Sequence, residues 1–173
     1  MKKILLLFAA MGALTLTSCT NDDDIDSGGY VDNDTVARVI QTTQSFNSGN
    51  DFARLIDIDN MFPEDMVLVY RQGYDATANS NVWELTPRNY NFDNGDVIGY
   101  DFNFTQADVL IYMVANFNLS DASAAYTQNQ VFRIVIIPGS PNGVGKMAPK
   151  ADFKDYKAVV KAYGIDETKI IKK

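Results

Sequence analysis

The carboxylates of Asp57 and Asp59 stand two residues apart in Asp57-Ile58-Asp59-Asn60, with Glu64 and Asp65 close behind. On an extended strand two such side chains share one face roughly 7 Å apart. That spacing could suit a calcium ion, or less readily the acid and base of a glycan hydrolase, although the glycine of an EF-hand loop is missing. Acids at a strand end in water are the plainer reading. A second candidate is Gly143-Val144-Gly145-Lys146-Met147-Ala148, which satisfies the dinucleotide pattern G-x-G-x-x-A. Its context excludes that use. Pro138 and further residues separate it from the preceding strand, Pro149 disfavours helix at Ala148, and too little chain follows for a βαβ unit. It is no P-loop either, because Met147 stands where Ser or Thr must hold magnesium. Aromatic residues form a third set. Tyr74, Trp83 and Tyr90 flank polar loops, as side chains that stack on sugars do, and also as side chains of a sandwich core do.

What is absent narrows the chemistry further. The chain has no His and a single Cys, Cys19. The usual Ser-His-Asp and Cys-His sets, His- or thiolate-bound zinc and an intrachain disulfide are thereby removed. No catalytic residues are assigned, and the reading is of a protein that is not an enzyme and carries no cofactor beyond a weakly indicated calcium ion.

The thiol of Cys19 has a different context. Lys2 and Lys3 open the chain, Ile4 to Leu16 is apolar, and Leu16-Thr17-Ser18-Cys19 closes the run with small residues. The layout is that of a secretory signal, and its apolar core is shorter than the roughly 20 residues a membrane-spanning helix needs. The ending resembles the lipobox of bacterial lipoproteins, which implies that residues 1–18 are removed and that Cys19 receives diacylglyceryl and a further acyl chain such as palmitate. An ordinary signal peptide whose cleavage site includes a Cys is the alternative. Several acyl chains, each methylene contributing about 0.8 kcal/mol when buried, make a stable anchor where a single chain is marginal.

Asp22, Asp23 and Asp24 follow directly. They resemble the acidic export signal of Bacteroidota lipoproteins, which implies display on the outer face of the outer membrane; the periplasm-facing leaflet is the alternative, with the acids then serving as a solvated tether. Residues 19–34 form that tether, and if the fold begins near Val36 its reach when extended is roughly 50 Å. Asp34-Thr35-Val36 fits a short O-glycosylation pattern of Bacteroidota secreted proteins, which makes Thr35 a candidate for modification.

From Cys19 onward 155 residues remain, enough for one domain with a real core, here residues 35–173. Without Lys2 and Lys3 the chain carries 13 basic and 22 acidic residues, a net charge of −9. The charge is divided unevenly, −13 from Cys19 to Gly145 and +4 from Lys146 onward. Such an acidic body repels phosphate backbones, so nucleic acid is not an expected partner. The basic tail reads as a solvated helix face that balances acidic surface.

The mature chain has the texture of β structure. Val36 to Phe46 and Phe52 to Ile58, around the turn cluster Asn47-Ser48-Gly49-Asn50, predict a hairpin. Met66 to Tyr70 is a continuous apolar run expected at the centre of a sheet. Tyr74 to Asn81 reads as a polar loop. Trp83 to Leu85 and Asn89 to Phe92 are short strands separated by Pro87, and Asn94-Gly95 favours a tight turn. Ile98, Tyr100, Phe102 and Phe104 alternate with Gly99, Asp101 and Asn103, a strand with one wet face. Val109 to Phe117 and Val131 to Ile137 are apolar on both faces, with Arg133 expected to meet a carboxylate or to snorkel at an edge. Phe153, Tyr156, Val159, Val160 and Tyr163 recur at helical spacing before Gly164. Together these predict an antiparallel β-sandwich of seven or eight strands, with one C-terminal amphipathic helix closing an open edge or end, and a short strand over Lys169 to Lys173.

Val67-Leu68-Val69-Tyr70-Arg71, Val82-Trp83-Glu84, Thr127 to Ile134 and Tyr156-Lys157-Ala158-Val159 with Gly164-Ile165 resemble a family of small Bacteroidota lipoproteins. Some members carry a collagen-like stretch after the Cys, where this chain has only its acidic tether. The family brings no activity with it. A dihydrolipoamide dehydrogenase label borne by some relatives does not suit this chain, which lacks the redox cysteine pair, the acid-base His and the dinucleotide-binding domains that chemistry needs. The anchor, the tether and a compact domain without evident catalytic equipment point instead to a non-catalytic, surface-displayed lipoprotein with a structural or interaction role, held to the membrane by its N-terminal lipid, with a surface protein or glycan as its expected partner. A carbohydrate- or calcium-dependent binding module is the alternative.

Overall fold

The computed structural model describes residues 37–59, 61–139 and 150–173. The chain divides into two units, residues 1–31 and 32–173, and the described residues all belong to the second. The expected lipidation site at Cys19, the acids Asp22 to Asp24, Thr35 and the glycine pattern at Gly143 lie outside them.

The second unit is a β-sandwich. Its strands are β1 (Arg38–Gln44), β2 (Ala53–Asp57), β3 (Met66–Asp75), β4 (Ser80–Leu85), β5 (Arg88–Asn91), β6 (Val97–Phe104), β7 (Asp108–Ala115), β8 (Gln130–Ile137) and β9 (Ile171–Lys172), with short helices α1 (Ala124–Thr127) and α2 (Tyr156–Ala162). One sheet has the order β4-β3-β8-β1-β9 and the other β2-β7-β6-β5. Every pair is antiparallel except β1 with β9, which runs parallel.

The centre of the five-stranded sheet, formed by β1, β3 and β8, is buried on both faces. Ile40, Val67, Val69, Phe132, Ile134 and Ile136 point into the sandwich, where they meet Ile98, Tyr100, Val109 and Ile111 of the other sheet. The residues between them, Val39, Leu68, Tyr70, Val135 and Ile137, point outward and are covered by Tyr156, Val159 and Ile165. This explains the unbroken apolar runs of β3 and β8, since a strand with two dry faces has no polar alternation. By contrast, β7 alternates in burial, because the outer face of its sheet is wet.

Helix α2 therefore covers a sheet face, which corrects the expectation that it closes an edge or end. Three of its features follow from local chemistry. Asp155 caps its N-terminus by accepting from the backbone N–H groups of Lys157 and Ala158 at 2.9 and 3.2 Å. Tyr156 and Val159, one turn apart, supply the buried stripe. At the end, Gly164 takes the left-handed conformation (φ +61°), and the Ile165 N–H donates back to the Val160 carbonyl at 3.0 Å. The chain then returns so that β9 pairs with Ile40 and Gln41 of β1.

Two further expectations are corrected. β1 and β2 do not form a hairpin, because the Asn47 to Asn50 turn carries the chain from one sheet to the other. The segment from Tyr74 to Asn81 is half strand, a four-residue turn at its centre joining two strand ends. β3 runs on to Asp75, whose carboxylate accepts from Thr77 N–H at 2.8 Å to make the turn, and β4 pairs back from Ser80. Thr86-Pro87 marks another crossing between sheets, and Gly95 (φ +88°) makes the tight turn from β5 to β6.

Replacing Val159 by Ala should lower the unfolding free energy by about 2 kcal/mol, the loss of two buried methyl groups with part of a cavity term. Lys161→Ala, on the exposed side of the same helix, should stay within about 0.5 kcal/mol of the parent. Equilibrium urea denaturation of the two variants measures both.

Candidate functional site

One arginine of β3 and one of β8 enter the doubly covered sheet, on opposite faces. Arg71 of β3 projects into the sandwich and is 8% exposed. Its Nε and Nη2 donate to Gln130 Oε1 at 2.9 and 2.6 Å, and its Nη1 donates to the Tyr90 hydroxyl at 2.9 Å and stands 3.5 Å from Glu84 Oε2. The guanidinium lies 5.2 and 5.1 Å from the ring centres of Tyr90 and Tyr100. Burying an isolated cation would cost several kcal/mol, and this surround of carboxylate, amide and ring faces offsets that cost.

The network extends outward from there. Gln130 Nε2 donates to the carbonyls of Ala125 and Gln128 at 3.0 and 2.6 Å, which fastens the α1 turn. The Tyr100 hydroxyl donates to the Tyr126 carbonyl. Glu84 also meets Arg88 Nη2 at 3.2 Å and accepts from the Tyr90 hydroxyl. Gly73 makes room for this carboxylate, since a Cβ there would stand 2.6 Å from Glu84 Oε2. Burial pushes the Tyr100 hydroxyl up to about 12, against the opposing pull of Arg71. Burial, then the hydrogen bond to Glu84, raises Tyr90 as well.

On the outer face, Arg133 of β8 lies 4.2 Å from the Trp83 ring centre and 5.0 Å from that of Tyr156. It donates to Gln41 Oε1 at 3.1 Å, to the Tyr156 hydroxyl at 2.8 Å and to Glu167 at 2.5 Å. It thus pairs with a carboxylate, and that carboxylate belongs to the C-terminal segment it holds down.

The concave surface lies beside Arg71. A groove of about 540 Å³ is lined by Tyr74, Asn81, Glu84, Arg88, Tyr90 and Tyr126. A second, of about 420 Å³, is lined by Phe92, Asp93, Asp96, Phe117, Asp121 and Tyr126. Tyr126 of α1 is a wall of both.

Of the aromatic residues expected to bind together, Tyr74 and Tyr90 line the first groove. Trp83 does not. It packs against Tyr156 at 5.7 Å on the opposite face of the sheet. Asp57 ends β2 and Asp59 follows it, both exposed. Lys173 Nζ donates to the Asp57 backbone carbonyl at 2.7 Å and stands 3.4 Å from the Asp59 carboxylate, so an ammonium group is already placed against one of the two acids. Asp65 accepts from the Phe62 and Gly139 N–H groups at 3.0 and 3.1 Å. Among the described residues, no three acidic, His or Cys side chains are grouped to hold a metal ion.

Arg71, Glu84, Arg88, Phe92, Asp121 and Tyr126 were not marked by the sequence as site residues. The available signal was an arginine inside an apolar strand, which must find a buried partner. Comparison of the chain with protein-family models, with curated proteins and with solved structures finds no match.

Arg71→Ala should cost about 3–5 kcal/mol, because Glu84 and Gln130 lose the buried group they surround. Arg88→Ala, at a side chain 52% exposed, should cost about 0–1 kcal/mol. Denaturant titration of both variants tests the difference. The buried tyrosines predict an alkaline limit. Unfolded tyrosine gives up its proton near pH 10, whereas folded Tyr100 holds it to about 12. The unfolded state is then the one with fewer protons, so stability is unaffected well below pH 10. It falls between pH 10 and 12 by roughly 1.4 kcal/mol per unit for each such tyrosine. Phenolate absorbance followed beside denaturant midpoints should show the buried hydroxyls ionising together with unfolding.

Proposed function

We propose that this chain is a lipid-anchored lipoprotein of the outer membrane, displayed at the cell surface, whose sandwich domain serves binding and not catalysis. The observation that carries the reading is Cys19 at the end of Leu16-Thr17-Ser18-Cys19, behind a basic start and an apolar core of signal length. The acids Asp22 to Asp24 and the resemblance to small Bacteroidota lipoproteins support the outer face over the periplasm-facing leaflet. No helix among the described residues is long and apolar enough to cross a membrane, and nothing in the chain or the comparisons positively indicates catalysis.

The site chemistry supports binding. In the first groove the lining carboxylate, Glu84, is engaged by Arg71, Arg88 and Tyr90. A glycan hydrolase needs one carboxyl kept protonated by an apolar surround, and Asp93 and Asp121 of the second groove are exposed at its rim. Binding of a carbohydrate is the second reading, favoured by the aromatic lining of both grooves. Calcium has the weaker support, with Lys173 beside Asp57 and Asp59.

Cells labelled with an alkyne-bearing fatty acid should incorporate it into the parent chain and not into Cys19→Ser, and the variant should leave the membrane fraction for the soluble one. Protease added to intact cells should remove the domain. Label or membrane retention that persists in Cys19→Ser would overturn the anchor, and full protection of the domain in intact cells would overturn display on the outer face.

A further inference from the structure

We infer that the two grooves meeting at Tyr126 form one path for an extended, uncharged carbohydrate chain, with a sugar subsite on either side of that ring; this rests on the binding role proposed above. Tyr126 is the hinge of a row of aromatic side chains. Phe92 meets it edge-on at 5.5 Å and 89°, and Tyr90 lies 5.4 Å away at a tilt of 53°. Tyr74 lines the first groove with Tyr90. Phe92 is 38% exposed and Tyr74 63% exposed, so apolar ring surface is left in water in each groove. The hydrophobic gain from covering it is available to a ligand. A pyranose offers an apolar C–H face for such rings and hydroxyls for the polar groups around them.

Those polar groups differ in how they are used. Around Arg71 the donors and acceptors are engaged with one another. In the second groove the Asp93 and Asp121 carboxylates and the Tyr126 hydroxyl have no hydrogen-bond or ion-pair partner among the described residues. Asn81 and the half-exposed Arg88 border the first groove and Ser123 the second, and these groups match sugar hydroxyls.

Charge decides between polymers. One groove is edged by Asp93, Asp96 and Asp121 and the other by Arg71 and Arg88 around Glu84. A polyanion crossing both would meet the three aspartates, and a polycation would meet the arginines. A neutral polyhydroxylated chain crosses without either penalty. Each groove, at about 540 and 420 Å³, is in the range of small-ligand sites.

The test uses the full chain extracted from membranes in detergent and titrated calorimetrically with hexasaccharides of α-1,4-glucose, β-1,4-glucose, β-1,4-xylose, β-1,4-N-acetylglucosamine and α-1,6-mannose. At least one should bind, and its disaccharide should bind about tenfold or more weaker, since it reaches one subsite only. Tyr126→Ala should weaken binding about tenfold, equivalent to roughly 1.4 kcal/mol for one lost ring contact. Asp121→Ala, at an exposed position, should weaken binding several-fold with an unchanged melting temperature, which keeps the test valid where Tyr126→Ala disturbs the fold. Absence of binding by all five hexasaccharides at about 1 mM would overturn the inference, as would binding that both substitutions leave intact. Saturable binding of unfolded polypeptide that these substitutions abolish, with no sugar bound, would assign the path to peptides and overturn it too. Any of these failures leaves the Cys19 anchor untouched, because fatty-acid labelling reads that separately.

Discussion

The pairing of β3 with β8, Met66 to Arg71 against Phe132 to Ile137, is the constraint on which the rest of the fold depends. Val67 to Arg71 and Phe132 to Ile137 are largely dry on both faces, so each side chain there must find either an apolar neighbour or a committed polar partner. A slip of one residue would exchange the faces of Tyr70 and Arg71 and of Phe132 and Arg133, and put each guanidinium where the other face supplies no partner. The two arginines thus tie register to remote segments. Arg71 recruits Gln130, Glu84 and Tyr90 inside the sandwich, and Arg133 recruits Tyr156, Trp83 and Glu167 outside it. Such pairs are weak sources of net stability, but losing one partner strands a buried charge.

The helix follows from the same constraint. Val39, Leu68, Tyr70, Val135 and Ile137 form an apolar face that a two-layer sandwich would leave in water, and α2 with Ile165 covers it. Tyr70 is fixed there by its hydroxyl, which donates to the Phe153 carbonyl at 2.7 Å, and by its edge contact with Tyr156 at 5.1 Å. The four-stranded sheet needs no such cover, because Asp101 and Asn103 of β6 and the alternating burial of β7 give it a wet outer face.

How legible this was depended on whether the signal was local. The alternation Ile98-Tyr100-Phe102 and the unbroken runs in β3 and β8 are properties of neighbouring residues, and they foretold one wet-faced strand and two central ones. Phe104 departs from its row, being 42% exposed at the strand end. Which sheet a strand joins is not local. A turn at Asn47 to Asn50 looks the same in sequence whether the chain doubles back on its neighbour or crosses to the facing layer, and here it crosses. The amphipathic stripe of α2 announced a buried face without saying whether an edge or a face lay beneath it. The site was legible only in part for a related reason. Trp83 and Glu84 are adjacent, so the pleat sends them to opposite faces, and closeness to a polar loop could not separate them. Tyr126 sits in a four-residue helix whose position is set by Gln130, itself held by an arginine 59 residues away.

Charge placement brings these levels together. Arg71, Arg88 and Arg133 are committed to carboxylates of their own chain, and Arg54 donates to Gln44 Oε1 at 2.8 Å. Arginines used in this way organise side chains at short range, and residues 35–173 as a whole carry 16 acidic and 13 basic side chains, a net charge of −3. Within a Debye length of about 8 Å at physiological salt, local charge at the grooves therefore outweighs the net charge of the domain. A neutral partner meets no charge barrier at either groove, whereas an anionic one meets Asp93, Asp96 and Asp121 along the second.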